Sequence, residues 1–150
     1  MGNRNRSREL ALQMLYQVEV GKQTLAQAAG PFLEGEKGLP EVKDFSRLLA
    51  FGVTEHLAEI DEKLAKHSTN WEVKRFPSVD RALLRLGCFE LLYCPDIPYE
   101  VTLNEYVELA REFGGDESPA FVNGLLDEVR KANPREKKDP ENSRSPHADL

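Results

Sequence analysis

Between residues 41 and 67 the apolar side chains Phe45, Leu48, Leu49, Val53, Leu57, Ile60 and Leu64 recur every three or four positions. An α-helix turns that spacing into one continuous face, because about 3.6 residues complete each turn. The stripe predicts an amphipathic helix of about seven turns, whose apolar side other elements must cover. The same period recurs in shorter segments. Leu10, Ala11, Met14, Leu15 and Val18 mark a helix from Ser7 to about Val20, which Gly21 stops. A short helix begins near Thr24 and ends at Ala29 or Leu33, limited by Gly30-Pro31. Helices are also expected over about 78–94, 99–113 and 118–131, separated by Pro95, Pro98 and Gly114-Gly115, with Ser118 as N-cap and Pro119 at the first helical position. Trp71 and Phe76 are expected to anchor the connector of residues 70–77 to the core. No segment alternates with the strand period of two, and no repeat recurs at a fixed period.

The fold class expected is therefore all-α, a single-domain helical bundle. Residues 1–6 read as a flexible basic arm, 7–132 as the helical domain, and 133–150 as a disordered tail. That tail carries Pro134, Pro140 and Pro146 and has only Ala148 and Leu150 as apolar residues after Asn133. With 150 residues, one domain buries roughly 68–70% of its extended surface, so no metal or disulfide staple is needed. Cys88 and Cys94 lie in an apolar helical run as small core residues. No apolar stretch approaches 18 residues and no secretory h-region follows Met1, so a cytoplasmic protein with no membrane partner is expected.

Enzymatic chemistry finds little support. Of three histidines, His147 falls in the tail, and His56 and His67 are eleven residues apart, about 16 Å along a helix. They cannot share a metal ligand. Phosphate loops, nucleophile elbows and the His-Glu-x-x-His pattern are all missing from the sequence. No catalytic residue, metal or cofactor is expected.

The net charge of −6 argues against nucleic acid only as an average. Residues 1–8 hold Arg4, Arg6 and Arg8 and no acid, whereas residues 86–129 hold ten acids and one base. Guanidinium groups grip phosphates bidentately and stack on bases, which suits single-stranded RNA. A solubilising tail remains the alternative at this point. In the opening helix Leu10, Met14 and Val18 share one face, and Leu12, Tyr16 and Val20 another. Such a helix is either sandwiched in the domain or offers one side to a partner, with Tyr16 suited to a rim. Asp80 sits where it favours the dipole of the helix it opens. Asn123-Gly124 interrupts a helix at a cost of about 1 kcal/mol, so either another backbone packs closely there or something docks.

Several strings together carry a resemblance. Arg8-Glu9-Leu10-Ala11-Leu12-Gln13-Met14-Leu15-Tyr16 opens it. Val79-Asp80-Arg81-Ala82-Leu83-Leu84-Arg85 with Glu90-Leu91 follows, then Asp96-Ile97-Pro98, Asn104-Glu105 and Val107-Glu108-Leu109-Ala110. Phe113-Gly114 and Ser118-x-x-Phe121-Val122-Asn123-Gly124-Leu125-Leu126-Asp127 complete it. Over about residues 4–130 the chain resembles the NusB family of bacterial transcription antitermination factors. The resemblance implies two small helical subdomains packed along the first helix. It implies boxA-type single-stranded RNA as a partner, with the small-subunit ribosomal protein that acts as NusE, and recruitment to elongating RNA polymerase with other Nus factors in rRNA transcription. By the same resemblance Arg4, Arg6 and Arg8 contact RNA, Glu117 and Phe121 extend the RNA surface, and Tyr16 and Asp80 face the ribosomal protein. Asn5 stands where the family carries an arginine and Ser7 where it carries alanine, which implies weaker RNA binding alone and more dependence on the partner. Two alternatives remain: a protein-interaction-only adaptor of the same fold, and a regulatory subunit of an rRNA-modifying enzyme.

Overall fold

The computed structural model describes residues 2–35, 38–69 and 71–134. Among them seven α-helices follow one another: α1 (Asn3–Val20), α2 (Leu25–Gly35), α3 (Pro40–Glu55), α4 (Leu57–His67), α5 (Ser78–Tyr93), α6 (Tyr99–Phe113) and α7 (Ser118–Ala132). A single 3-10 turn at Val73–Arg75 precedes α5, and the described residues contain no strand. The expected disordered tail lies, from residue 135 on, outside the described residues.

Local chemistry explains most boundaries. Thr24 and Gln27 form a capping box at the start of α2: the Gln27 N–H donates to Thr24 Oγ1 (3.2 Å) and the Thr24 N–H to Gln27 Oε1 (2.9 Å). Pro40 opens α3, and Pro77 and Pro98 immediately precede α5 and α6. Glu41, Asp80 and Glu100 stand in first turns, where the helix dipole favours a negative charge.

Several boundaries depart from the sequence expectation. Residues 3–6 are the first turn of α1 and not a flexible arm; the Arg6 N–H already bonds to the Gly2 carbonyl at 3.3 Å. Tertiary contact holds this turn, since Ser7 is fully buried and its hydroxyl donates to the Val42 carbonyl of α3 at 2.7 Å. Pro31 sits inside α2 and does not stop it, because Ala28, Ala29 and Leu33 bury one face across the break. The long helix predicted over 41–67 divides at His56 into α3 and α4. The interruption coincides with aromatic side chains of α5: Phe89 packs on Gly52, and His56 stacks on Tyr93 with centroids 4.2 Å apart. Phe76 is buried and anchors the connector, but Trp71 is 50% exposed. Ser118 is the first residue of α7 and not its cap; its hydroxyl instead donates to Asp80 of α5.

α5 is the common element. It packs against α1 and α3, which also hold α2, and against α4, α6 and α7. Its Leu83, Leu84, Leu86, Cys88, Phe89 and Leu91 are buried, so a helix apolar nearly all round occupies the centre. Cys88 and Cys94 are buried and form no disulfide, and burial pushes the Cys88 thiol up to about 12.

Candidate nucleic-acid interface

Starting the helix at Asn3 decides what the three arginines can do. Residues four apart fall about 40° apart around a helix, so Arg4 and Arg8 share a face, while Arg6 lies about 200° from Arg4. The shared face turns toward α3, where the Phe45 ring lies under both guanidiniums, 5.2 Å from Arg4 and 5.9 Å from Arg8. Arg4 stands at the rim, 54% exposed, and donates to Asp96 at 3.4 Å. Arg6 is 42% exposed and lies 3.4 Å from Glu9. In both pairs the guanidinium is the more exposed member, with Asp96 31% and Glu9 17% exposed, and ion pairs that reach solvent contribute little, so a phosphate can compete for either arginine.

Arg8 is different. It is 1% exposed, and its Nε and Nη2 donate to the two oxygens of Glu90 at 2.9 Å each. Its Nη1 donates to Asn5 Oδ1 at 2.8 Å. Burial works against its charge, but the hydrogen bonds and charge of Glu90 outweigh that and hold its pKa above the ordinary arginine value. Arg8 is therefore withdrawn from the RNA-contacting set: its donors are spent inside the protein. Glu90, counted by sequence into the acidic block, is neutralised by the same contact. The N-terminal cations that face solvent are Arg4 and Arg6. Asn5, in an arginine position of the resemblance, closes the buried network from the helix's own surface.

A second region lies between α5 and α7. A cleft of about 480 Å³ is lined by Trp71, Asp80, Glu117, Ser118 and Phe121, among others. It brings together three residues that sequence separated into two roles: Glu117 and Phe121 of the expected RNA surface, and Asp80 of the expected protein surface. Asp80 is 4% exposed and accepts a hydrogen bond from Ser118 Oγ at 2.6 Å. Burial raises its pKa above the ordinary aspartate value, and the Ser118 bond pulls the other way. Its side chain joins α5 to α7 more than it offers a charge to a partner. Phe121 is half-buried between Trp71 and Phe76, meeting their rings edge-on with centroids 5.8 and 5.1 Å away. Sequence reading assigned Trp71 to the core; its aromatic partner on α7 is a contact across fifty residues that no local pattern announces.

The third region is the C-terminal half of α1. Tyr16 and Val20 are exposed, while Leu10, Leu12 and Met14 are buried, so α1 is sandwiched at its start and open at its end. Beside it a small groove of about 140 Å³ is lined by Leu15, Val18, Val53, Leu57 and Arg85, among others. Arg81 pairs with Glu19 here, and Arg85 grips Asp61 bidentately at 2.9 Å. Gly124 has nothing within 4 Å of where a Cβ would stand, so close backbone packing, one of the two sequence expectations for it, does not occur. Among the described residues no group of three or more His, Cys, Asp or Glu side chains is placed to hold a metal ion, and no helix is long and apolar enough to cross a membrane.

Against known proteins, the model of the NusB family matches residues 5–131. The transcription antitermination protein NusB of Myxococcus xanthus (strain DK1622) is 49% identical over 133 residues, covering 86% of this chain and 95% of the relative. That of Bacillus subtilis (strain 168) is 42% identical over 127 residues, covering 85% and 94%. Among solved structures, T. maritima NusB superposes with a TM-score of 0.81 at 36% identity, over 85% of this chain and 90% of that one. A crystal structure of the antitermination factors NusB and NusE with dsRNA contains a chain that superposes with a TM-score of 0.80, over 88% and 98%; at 24% identity this likeness is one of fold.

Proposed function

The chain belongs to the NusB family, and from that premise we propose that it binds boxA-type single-stranded RNA together with the ribosomal protein that acts as NusE. The pair then joins elongating RNA polymerase with other Nus factors in the cytoplasm and supports rRNA transcription. The family consists of transcription antitermination factors and not of enzymes. The observation that carries the RNA reading is the exposure of the Arg4 and Arg6 guanidiniums on the first turn of α1.

On this reading phosphates displace Asp96 and Glu9 and take bidentate hydrogen bonds from the two guanidiniums. Phe121, with Trp71 beside it, offers aromatic surface on which an unpaired base stacks. Glu117 and Asp116 line the same cleft and repel phosphate, which turns base edges inward and the backbone out toward solvent. Tyr16 and Val20 present an apolar patch to the protein partner, and the acidic residues of α6 and α7 steer a basic ribosomal protein toward it.

A titration of boxA RNA and a scrambled control, with and without the ribosomal protein and at two salt concentrations, tests the proposal. Preference for boxA, strengthened by the partner and weakened by salt, is expected. Equal affinity for both RNAs in the partner's presence defeats it. The adaptor-only alternative has one observation in its favour: with Arg8 buried and Asn5 uncharged, two arginines of the first turns of α1 face solvent among the described residues. It predicts that Arg4→Ala leaves boxA affinity unchanged.

A further inference from the structure

The most heavily buried polar cluster of the molecule lies directly behind the RNA-facing turn, and it touches no solvent. Glu90 of α5 is 0% exposed and receives four donors: Nε and Nη2 of Arg8, the Thr102 hydroxyl at 3.1 Å and the Tyr106 hydroxyl. Thr102 and Tyr106 belong to α6 and are themselves fully buried. Burial, followed by the charge of Glu90, holds the Tyr106 hydroxyl well above its ordinary pKa, so it remains a donor. The cluster thus ties three helices to one carboxylate. Its Arg8 end reaches back through Nη1 to Asn5, in the turn that carries Arg4 and Arg6.

Two features go beyond what stability requires. A buried ion pair is often matched or bettered in stability by apolar residues of similar volume, so stability alone does not account for one here. And a bidentate guanidinium fixes direction as well as distance, which locks the rotation of α1 about its own axis. That rotation decides which way Arg4 and Arg6 point. We propose that Arg8 and Glu90 are positioning residues for RNA recognition: they set the rotation and docking of the first turn of α1, so that Arg4 and Arg6 meet phosphates in the register that lets bases reach the α7 cleft. This rests on the RNA reading above and deepens it.

The test uses the full chain and the variants Glu90→Gln, Thr102→Val, Tyr106→Phe, Arg8→Gln and Arg4→Ala. Each is titrated with boxA and scrambled RNA across a salt series, with amide exchange measured over residues 4–10. Glu90 is buried, so it cannot touch RNA, and loss of its negative charge by itself favours RNA binding. Positioning predicts the opposite for the specific RNA. In Glu90→Gln the ratio of boxA to scrambled affinity falls roughly five- to tenfold, exchange over residues 4–10 speeds up, and the salt slope stays at the wild-type value. Arg4→Ala instead flattens the slope by about 0.7, the signature of one lost phosphate contact on a single strand. A purely structural loss lowers the active fraction for both RNAs alike and leaves their ratio untouched. If Glu90→Gln fails to fold, Thr102→Val and Tyr106→Phe, which each remove one donor, carry the same expectation in weaker form. Folded variants that keep the wild-type ratio overturn the positioning role. Arg8→Gln, which removes the charge, flattening the salt slope as Arg4→Ala does overturns it also, by making Arg8 a direct contact. Wild type with no preference between the two RNAs defeats the RNA reading and this proposal together, whereas a preference indifferent to Glu90 defeats this proposal alone.

Discussion

Adding one methyl group to a helix glycine should have opposite effects at two places in this protein. Gly124 is the seventh residue of α7, exposed, with nothing within 4 Å of an added Cβ. Its φ is not positive, so alanine fits without strain. Replacing glycine inside a helix recovers about 1 kcal/mol, because the unfolded chain has less freedom to lose. Gly124→Ala should therefore raise stability by about 0.5–1 kcal/mol, or about 2–4 °C in Tm for a chain of this size. Gly52 of α3 enjoys the same propensity gain, but its Cβ would stand 2.3 Å from Cε1 and Cζ of Phe89. Phe89 is buried and stacked on Tyr93, centroids 5.2 Å apart, so the ring cannot swing into solvent. Overpacking of this kind costs about 1–3 kcal/mol. Set against about 1 kcal/mol gained, Gly52→Ala should lose up to about 2 kcal/mol. Urea unfolding of the three proteins reads both values from the midpoint at unchanged slope. Two changes of the same sign, or a loss at Gly124, refute the packing argument. Weaker RNA or partner binding by a stabilised Gly124→Ala would assign the bare surface of α7 to docking.

Arg8→Met takes the buried cation from Glu90 and leaves it only the Thr102 and Tyr106 hydroxyls among the donors described above, and should cost about 3–5 kcal/mol in urea unfolding, part of it recovered by the Arg8→Met/Glu90→Leu double variant; a single variant within about 1 kcal/mol of wild type contradicts the burial argument. The native Asp80 carboxyl binds a proton at higher pH than the unfolded chain does, so its ionisation lowers stability as pH rises through its native pKa. Asp80→Asn keeps an acceptor for Ser118 and should melt higher than wild type at neutral pH, with the gain shrinking as pH falls into the ordinary aspartate range; a pH-independent difference argues against desolvation as the cause. Phe121→Ala should weaken RNA binding by about 1–3 kcal/mol without changing its salt slope, because stacking and not charge is lost; isothermal titration at two salt concentrations decides it.

The helices were legible because their determinants are local. A stripe at three- and four-residue spacing, a capping Thr-x-x-Gln and prolines ahead of first turns lie within one or two turns of what they control. The ordered strings that carried the family resemblance were legible for the same reason. Reading failed where a distant partner overruled a local signal. Gly30-Pro31 left the end of α2 open between Ala29 and Leu33, and buried neighbours carry the helix past Pro31 to Gly35. The stripe over 41–67 looked continuous, but aromatic side chains from α5 meet it at Gly52 and His56. Glu90 within the apolar run Phe89 to Leu92 was the one overlooked clue, since a carboxylate there demands a cation.

By itself, then, the sequence determined an all-α chain of the NusB family, with cations at its start and acids toward its end, because periodicity, punctuation and charge are properties of neighbouring residues. Only the tertiary structure decided which of those charges face solvent. Arg8 and Glu90 are 82 residues apart, and Asp80 and Ser118 are 38 apart. Whether an arginine grips a phosphate or closes a buried carboxylate depends on how α1 is rotated against α5, and that rotation is set by packing between helices, which no local pattern encodes.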